Sequence, residues 1–328
     1  MRRRSYPAMA RLMTVTAVIL LQHCDDRTPG SRPPTATETV RALESIERLI
    51  DAGKTSEALL AAESLQRSLP ESSMAAEMLG RARMAAKADP LLIAQAYALA
   101  ADLSPQSPGL QSVAGITAAA ARQWRQSEER HHTAELLQPG HPQHALHRSI
   151  SLRALGALPE SLAAADRACA LAPLDATVQL NRAQALLAMG SKPQACDGAM
   201  ATLSLKSNDA ALRLAVTDFL IEAGDPDRAI RVIMVDASQP DAPAAVLESL
   251  ARAQSSAGKP ADAAETWKRV AVAPLAGWQP CLRAAENALK AGDLTESKAW
   301  LNRAKERGAP TSQTQSIEQS MHSVPSTQ

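Results

Sequence analysis

The residues most able to do chemistry are five histidines, His131, His132, His141, His144 and His147, which fall within 17 positions of one another. Imidazoles this dense bind transition metals when two or three converge and their second ring nitrogens find support. His144 and His147 are three apart, which puts them on one face of any helix that carries both. The competing reading is a His-rich surface with His131 half buried. The chain has four cysteines and no C-x-x-C spacing, so neither a zinc ribbon nor a disulfide scaffold fits. Cys169, Cys196 and Cys281 read as small buried hydrophobes, with a Cys169–Cys196 bridge as the alternative in an oxidising compartment. There is no G-x-S-x-G, Walker loop, G-x-G-x-x-G or H-E-x-x-H. The chain is accordingly read as non-enzymatic, with no metal and no cofactor assigned.

The elements that would position these residues are helical. Aromatics make up 2 % of 328 residues, too few for a β-sandwich or barrel. The 45 % hydrophobic content is mostly Ala and Leu, the strongest helix formers. A net charge of +1 gives no global field toward nucleic acid or an acidic membrane.

A 34-residue period runs through the chain. Gly156, Gly190, Gly224, Gly258 and Gly292 are evenly spaced by it, and Pro70, Pro105, Pro139 and Pro173 are spaced 35, 34 and 34. Gly53 lies three periods plus one residue before Gly156, so one extra residue sits between Pro70 and Pro105. Each Gly follows an amphipathic run and ends a helix in the left-handed conformation. A second helix starts within three residues and stops near the Pro. Small residues recur five after the Gly, as in Ala58, Ser127 and Ala195, and seven before it, as in Gly115, Ser149 and Ala183. They let two backbones approach closely. Repeats 2 and 3 carry Ala88 and Arg122 in place of the Gly.

This arrangement of small residue, Gly, small residue and Pro resembles the tetratricopeptide repeat. The resemblance implies an all-α, right-handed superhelical solenoid of about eight helix-turn-helix repeats over residues 38–310. The family favours bulky aromatics, whereas nine after the Gly this chain has Ala62, His131, Ala165, Ala199, Ile233, Trp267 and Leu301. Only Trp267 is aromatic in that series, so thin interfaces are expected. The resemblance further implies a concave groove along the first helices that holds a protein or peptide partner. By offset from each Gly it would present Arg153, Leu180, Asn181, Gln184, Leu187, Leu214, Asp218, Ile221, Glu222, Glu248, Arg252, Arg283 and Glu286. Arg153, Asn181, Gln184, Asp218, Glu222, Arg252 and Arg283 are the candidate partner contacts. An apolar floor with charges of both signs suits a protein segment better than phosphate. The Lys, Arg and Asn set with which some family members hold a C-terminal carboxylate is missing. Residues 311–328 show no apolar period and read as a disordered tail.

The N-terminus reads as a targeting segment over 1–23. Arg2-Arg3-Arg4 and Arg11 precede an apolar run from Leu12 to Leu21. The run is half of what a membrane span needs. Leu21-Gln22-His23-Cys24 resembles a bacterial lipoprotein signal, in which the Cys is acylated and becomes the mature N-terminus; the family prefers small residues where Gln22 and His23 stand. Residues 24–37 are polar and Pro-rich, as in a flexible tether. The resulting expectation is a scaffold lipid-anchored through Cys24 in a bacterial envelope. An uncleaved anchor and a cytoplasmic protein are the alternatives for location. For function, the alternative is a self-associating assembly subunit with an empty groove.

Overall fold

The computed structural model describes residues 34–206, 208–273 and 276–323. The targeting segment and Cys24 lie outside them. The described residues form seventeen helices and no strand. The first four repeats pair α1 (Ala36–Asp51) with α2 (Thr55–Ser68), α3 (Ser73–Ala85) with α4 (Pro90–Leu103), α5 (Pro108–Ala120) with α6 (Trp124–Leu137), and α7 (Pro142–Ala154) with α8 (Leu158–Leu171). The last four pair α9 (Ala176–Ala188) with α10 (Lys192–Leu205), α11 (Ala210–Ala223) with α12 (Pro226–Ala237), α13 (Ala244–Ser256) with α14 (Pro260–Ala271), and α15 (Trp278–Lys290) with α16 (Leu294–Glu306). A seventeenth helix, α17 (Thr311–Ser323), closes the array. Each helix packs on its sequence neighbours, and most first helices also touch a first helix beside them, as α7 does α9 and α11 does α13. That is the nearest-neighbour stacking of a solenoid, which no repeat could sustain alone.

The period is visible in the backbone. Gly53, Gly156, Gly190, Gly224, Gly258 and Gly292 all have φ between 69° and 86°, at the turn inside each pair. The same conformation is held by Lys87 (φ 53°) and Arg122 (φ 58°) in repeats 2 and 3. This corrects the register of repeat 2, in which Lys87 rather than Ala88 stands in for the Gly. The extra residue sits in the turn before α4, which begins three residues after Lys87 where the other second helices begin two after theirs. A side chain that tolerates the left-handed region hid the turn, because the sequence signal for it is glycine.

Tyr97, nine after Ala88, occupies the site of His131, Ala165 and Trp267, seven residues into its helix, so Trp267 is not the only aromatic there; the corrected register sets Gly80 rather than Arg81 opposite it. The facing position seven before each turn residue is Ile46, Gly80, Gly115, Ser149, Ala183, Thr217, Ala251 or Ala285. Sizes across the two sites are complementary: Ile46 is paired with Ala62, Gly80 with Tyr97, Gly115 with His131, and Ala251 with Trp267. A Cβ on Gly80 would come within 2.7 Å of the Tyr97 ring, so no larger residue fits opposite this tyrosine. Where both partners are small, as at Ala183 and Ala199, both are buried but contribute little apolar area.

Two boundaries differ from the sequence reading. The array starts at Ala36, inside the segment read as a tether, because Thr35 and Glu38 form a capping box: the Thr35 N–H donates to Glu38 Oε2 at 2.6 Å and the Glu38 N–H donates to Thr35 Oγ1 at 3.3 Å. Residues 311–323 are a helix rather than a disordered tail. α17 buries Thr314, Ile317 and Met321 against α15 and α16 and turns its Ser and Gln residues to solvent. One buried stripe every three to four residues is enough to dock a capping helix, although it is too sparse to register as an apolar period.

Candidate interaction groove

The first helices present a row of side chains six positions before each turn residue: Glu47, Arg81, Ile116, Ile150, Gln184, Asp218, Arg252 and Glu286. Neighbours in this row are one repeat apart, so opposite charges in adjacent repeats meet. Arg81 Nη1 lies 2.6 Å from Glu47 Oε1, and Arg252 Nη1 lies 3.1 Å from Asp218 Oδ1. Ser249 also donates to Asp218 Oδ1 at 2.8 Å. Farther along, Arg283 pairs with Glu286 at 2.8 Å within α15.

The structure brings Arg153, Asn181, Gln184 and Glu222 together. Arg153 donates to Gln184 Oε1 at 2.9 Å and to Asn181 Oδ1 at 3.2 Å. Burial lowers the Arg153 pKa from its usual value, and the Glu222 carboxylate opposes that shift. A cavity of about 390 Å³ lies between them, walled by Leu187 and Ala188. Asn181 is 3 % exposed, which places it under the groove surface rather than on it. Its amide donates to Ser149 Oγ at 3.1 Å, and Ser161 donates to the Ser149 carbonyl at 2.8 Å. Asn181 therefore anchors Arg153 to a buried hydroxyl cluster and positions it.

Asp218, Arg252 and Arg283 stand in the C-terminal half, where two cavities adjoin. A cavity of about 420 Å³ runs between α11, α13 and α15, bounded by Ile221, Arg252, Trp267, Arg283 and Lys290. A second cavity of about 450 Å³ adjoins it, sharing Trp267 and Arg283 and adding Glu248, Val270 and Pro280. Trp267, Val270 and Pro280 were not among the sequence candidates, which came from first helices and their offsets. The available signal was the loss of periodic proline. At one and two periods past Pro173 stand Ser207 and Asp241, and at the third Leu275. α12 and α14 end early, at Ala237 and Ala271, so with the 34-residue spacing kept the connections to α13 and α15 lengthen. The wider connection opens the second cavity.

The histidines do not converge on a point. His131 and His147 stack with ring centroids 5.1 Å apart, and His141 and His144 with centroids 4.7 Å apart. Among the described residues no group of three or more His, Cys, Asp or Glu is placed to hold a metal ion. Cys169, Cys196 and Cys281 are free and buried. Burial raises the thiol pKa of Cys169 and of Cys196, which keeps both protonated at neutral pH. No helix among the described residues is long and apolar enough to cross a membrane.

No protein-family model matches the chain, and no curated protein matches it in sequence. Its similarity to known proteins is structural. A tetratricopeptide repeat protein from Parabacteroides merdae ATCC 43184 aligns with a TM-score of 0.53 at 11 % identity, over 87 % of this chain and 98 % of that one. MamA from Desulfovibrio magneticus RS-1 aligns at 0.47 and 13 % identity, over 52 % of this chain and 97 % of its own. A thermophilic tetratricopeptide protein of Thermus thermophilus aligns at 0.42 and 20 % identity, over 56 % and 99 %. The alignment that spans most of both chains agrees with eight stacked helix pairs and the left-handed turn inside each: the chain has the fold of a tetratricopeptide-repeat solenoid.

Proposed function

We propose that this protein is a non-enzymatic interaction scaffold whose groove holds a segment of a partner protein. The observation that carries the reading is the pair of adjoining cavities that share Trp267 and Arg283. An indole wall gives an apolar anchor site, and Glu248, Arg252, Arg283 and Lys290 ring it with charges of both signs. Interfaces gain most of their energy from such an anchor, and the surrounding charges set register and partner choice. The mixed-sign rim fits a polypeptide carrying an apolar side chain between polar ones. Cys24 and the segment before it support tethering to an envelope membrane as part of the same proposal. The alternative, a subunit that stacks end to end, is disfavoured at the C-terminal end, where α17 covers the last repeat with a polar outer face.

The test is site-specific photocrosslinking in the native cell. A photoreactive residue placed at Arg283 or Glu248 is expected to give one adduct of defined mass. The same residue at Leu60, on α2 and remote from the cavities, gives none. Adducts of equal yield at all three positions, or none at 283 and 248, would reject the groove. Intact mass of the N-terminal peptide beside a Cys24→Ser variant tests the anchor separately: acyl mass lost in the variant supports it, and an unmodified N-terminus removes it.

A further inference from the structure

We propose that the junction between repeats 3 and 4 is a proton-operated joint, in which the rings of His131 on α6 and of His147 and His144 on α7 hold the two helices together while neutral and release them when protonated.

The geometry is two stacked pairs of imidazoles, one of them bridging the two helices. His131, on α6, stacks on His147, on α7; His144, one turn earlier on α7, stacks on His141 at the helix start. His131 is 1 % exposed and His144 4 %. Three of their ring nitrogens, His131 Nδ1 and both nitrogens of His144, are buried with no hydrogen-bond partner, as is Nδ1 of His132. A neutral His144 leaves one N–H unmet, whereas an imidazolium would leave two and add a charge. Here a proton would create a buried charge with an unmet donor, next to rings that repel it.

The surroundings do not compensate. α5, on one side, carries no titratable residue between Pro108 and Ala120. On the other side the acids are already committed. Glu135 accepts from Arg167 at 2.8 Å and from Arg148 at 3.1 Å, and Glu128 accepts from Arg148 at 2.8 Å. Arg130 of α6 is held by Asp102 of α4 at 2.7 Å, and Arg182 of α9 by Asp166 of α8 at 2.6 Å. The remaining charges on these elements are Arg125 and Glu129 of α6, Arg153 of α7 and Glu160 of α8. At His144 the Glu135 carboxylate acts in favour of a proton, and burial and the neighbouring rings outweigh it. Burial and the rings of His147 and His144 hold His131 down to about 3, and burial lowers His147 as well.

Nor can the joint relax around a charged ring. Gly115 of α5 lies against His131 so closely that a Cβ there would stand 2.6 Å from Nε2. Protonation therefore favours separation over local repacking. Parting α6 from α7 divides repeats 1–3 from repeats 4–8 and moves Arg153 of α7 relative to the groove floor on Ile116 of α5. Acidification in the range of an endosome, a vacuole or an acid-stressed periplasm would then change what the groove holds.

The test is hydrogen exchange, read by mass spectrometry on the full chain between pH 7.5 and 4.5 and corrected for intrinsic rates. Below pH 6.5 the opening of the α6–α7 segment is expected to rise by up to about tenfold per pH unit for each proton required, while α13 to α16 stay protected. His131→Tyr copies the Gly80–Tyr97 pairing of repeat 2 without a titrating group. Combined with His147→Gln it should flatten the local response. If the tyrosine variant fails to fold, His147→Gln and His144→Leu singly should each lower the slope. An α6–α7 response equal to that of α13–α16, or one unchanged in every variant, would overturn the joint.

Discussion

Gly115 and His131 fit each other with no space to spare: a methyl group on Gly115 would sit 2.6 Å from His131 Nε2 and 2.8 Å from two ring carbons. The His131 ring occupies the volume that a side chain fills in other repeats. Gly115→Ala should destabilise the protein by about 1–3 kcal/mol, the usual cost of overpacking a tight core. His131→Ala alone should also destabilise, by leaving a cavity. Combined, the two recreate the Ala183–Ala199 arrangement of repeat 5, and most of the Gly115→Ala cost should vanish. Urea unfolding of the four proteins gives the coupling directly. Strict additivity would mean that the two residues do not share the volume.

A second prediction concerns the two turns without glycine. Lys87 and Arg122 hold left-handed backbone, and both are exposed. Such a conformation costs a non-glycine residue about 1–2 kcal/mol, partly offset by the entropy that glycine would lose on folding. Lys87→Gly and Arg122→Gly should each raise stability by about 0.5–1 kcal/mol. The reverse change, Gly224→Ala at φ 77°, should lower it by a similar amount. Thermal melts decide the signs, and a loss on either Gly substitution would contradict the strain assigned here.

Those two turns also show how far the sequence was readable. Six glycines at fixed spacing disclosed the helix pairs, because only the left-handed turn demands them. Lys87 disclosed nothing, since lysine has no turn preference, and with it went the pairing of Tyr97 with Gly80. In the groove, offsets from glycine placed Arg252 beside Asp218 in the correct repeats. They could not show that Asn181 is buried, because that depends on Ser149, itself held by Ser161, meeting it from another helix pair. Trp267 was legible as the largest residue of its row. Its role as a cavity wall depends on the early ends of α12 and α14, which the displaced prolines hint at without fixing.

Acid sensitivity should extend beyond the histidines. Arg213 and Asp236 join α11 to α12 through two hydrogen bonds of 2.7 Å, with side chains 19 % and 15 % exposed. The hydrogen bond from Arg213 holds the Asp236 carboxyl below its usual pKa. The folded state thus binds fewer protons than the unfolded chain as pH falls past the unfolded aspartate value near 4. The stabilisation is complete above that value and is lost as pH drops through the folded pKa. Arg213→Lys keeps the charge and loses the planar fork, so it should cost about 1–2 kcal/mol at pH 7 and make the acid limb below pH 4 shallower. Parallel curves for the two proteins in that limb would show that the fork contributes no pH dependence.

The array should come apart in pieces. The C-terminal repeats share one continuous apolar core running from Ile233 through Trp267 and Trp300 to Met321, whereas repeat 5 meets itself through Ala183, Ala195 and Ala199. Contacts reach no farther than the next pair, so the loss of one end removes one interface and leaves the distant ones intact. Deleting residues 244–328 takes away the partners of Ile233 and uncovers α11 and α12. These two helices should lose exchange protection while α1 to α8 keep theirs, and ellipticity should fall roughly in proportion to the helices removed. Wild-type urea curves should in turn depend on the probe, with tryptophan fluorescence, three of whose four sources (Trp267, Trp278 and Trp300) lie in the last two repeats, outlasting the circular dichroism of the alanine-rich middle. Coincident curves, or a truncated chain without helix, would mean that eight pairs with unequal interfaces nonetheless fold as one cooperative unit.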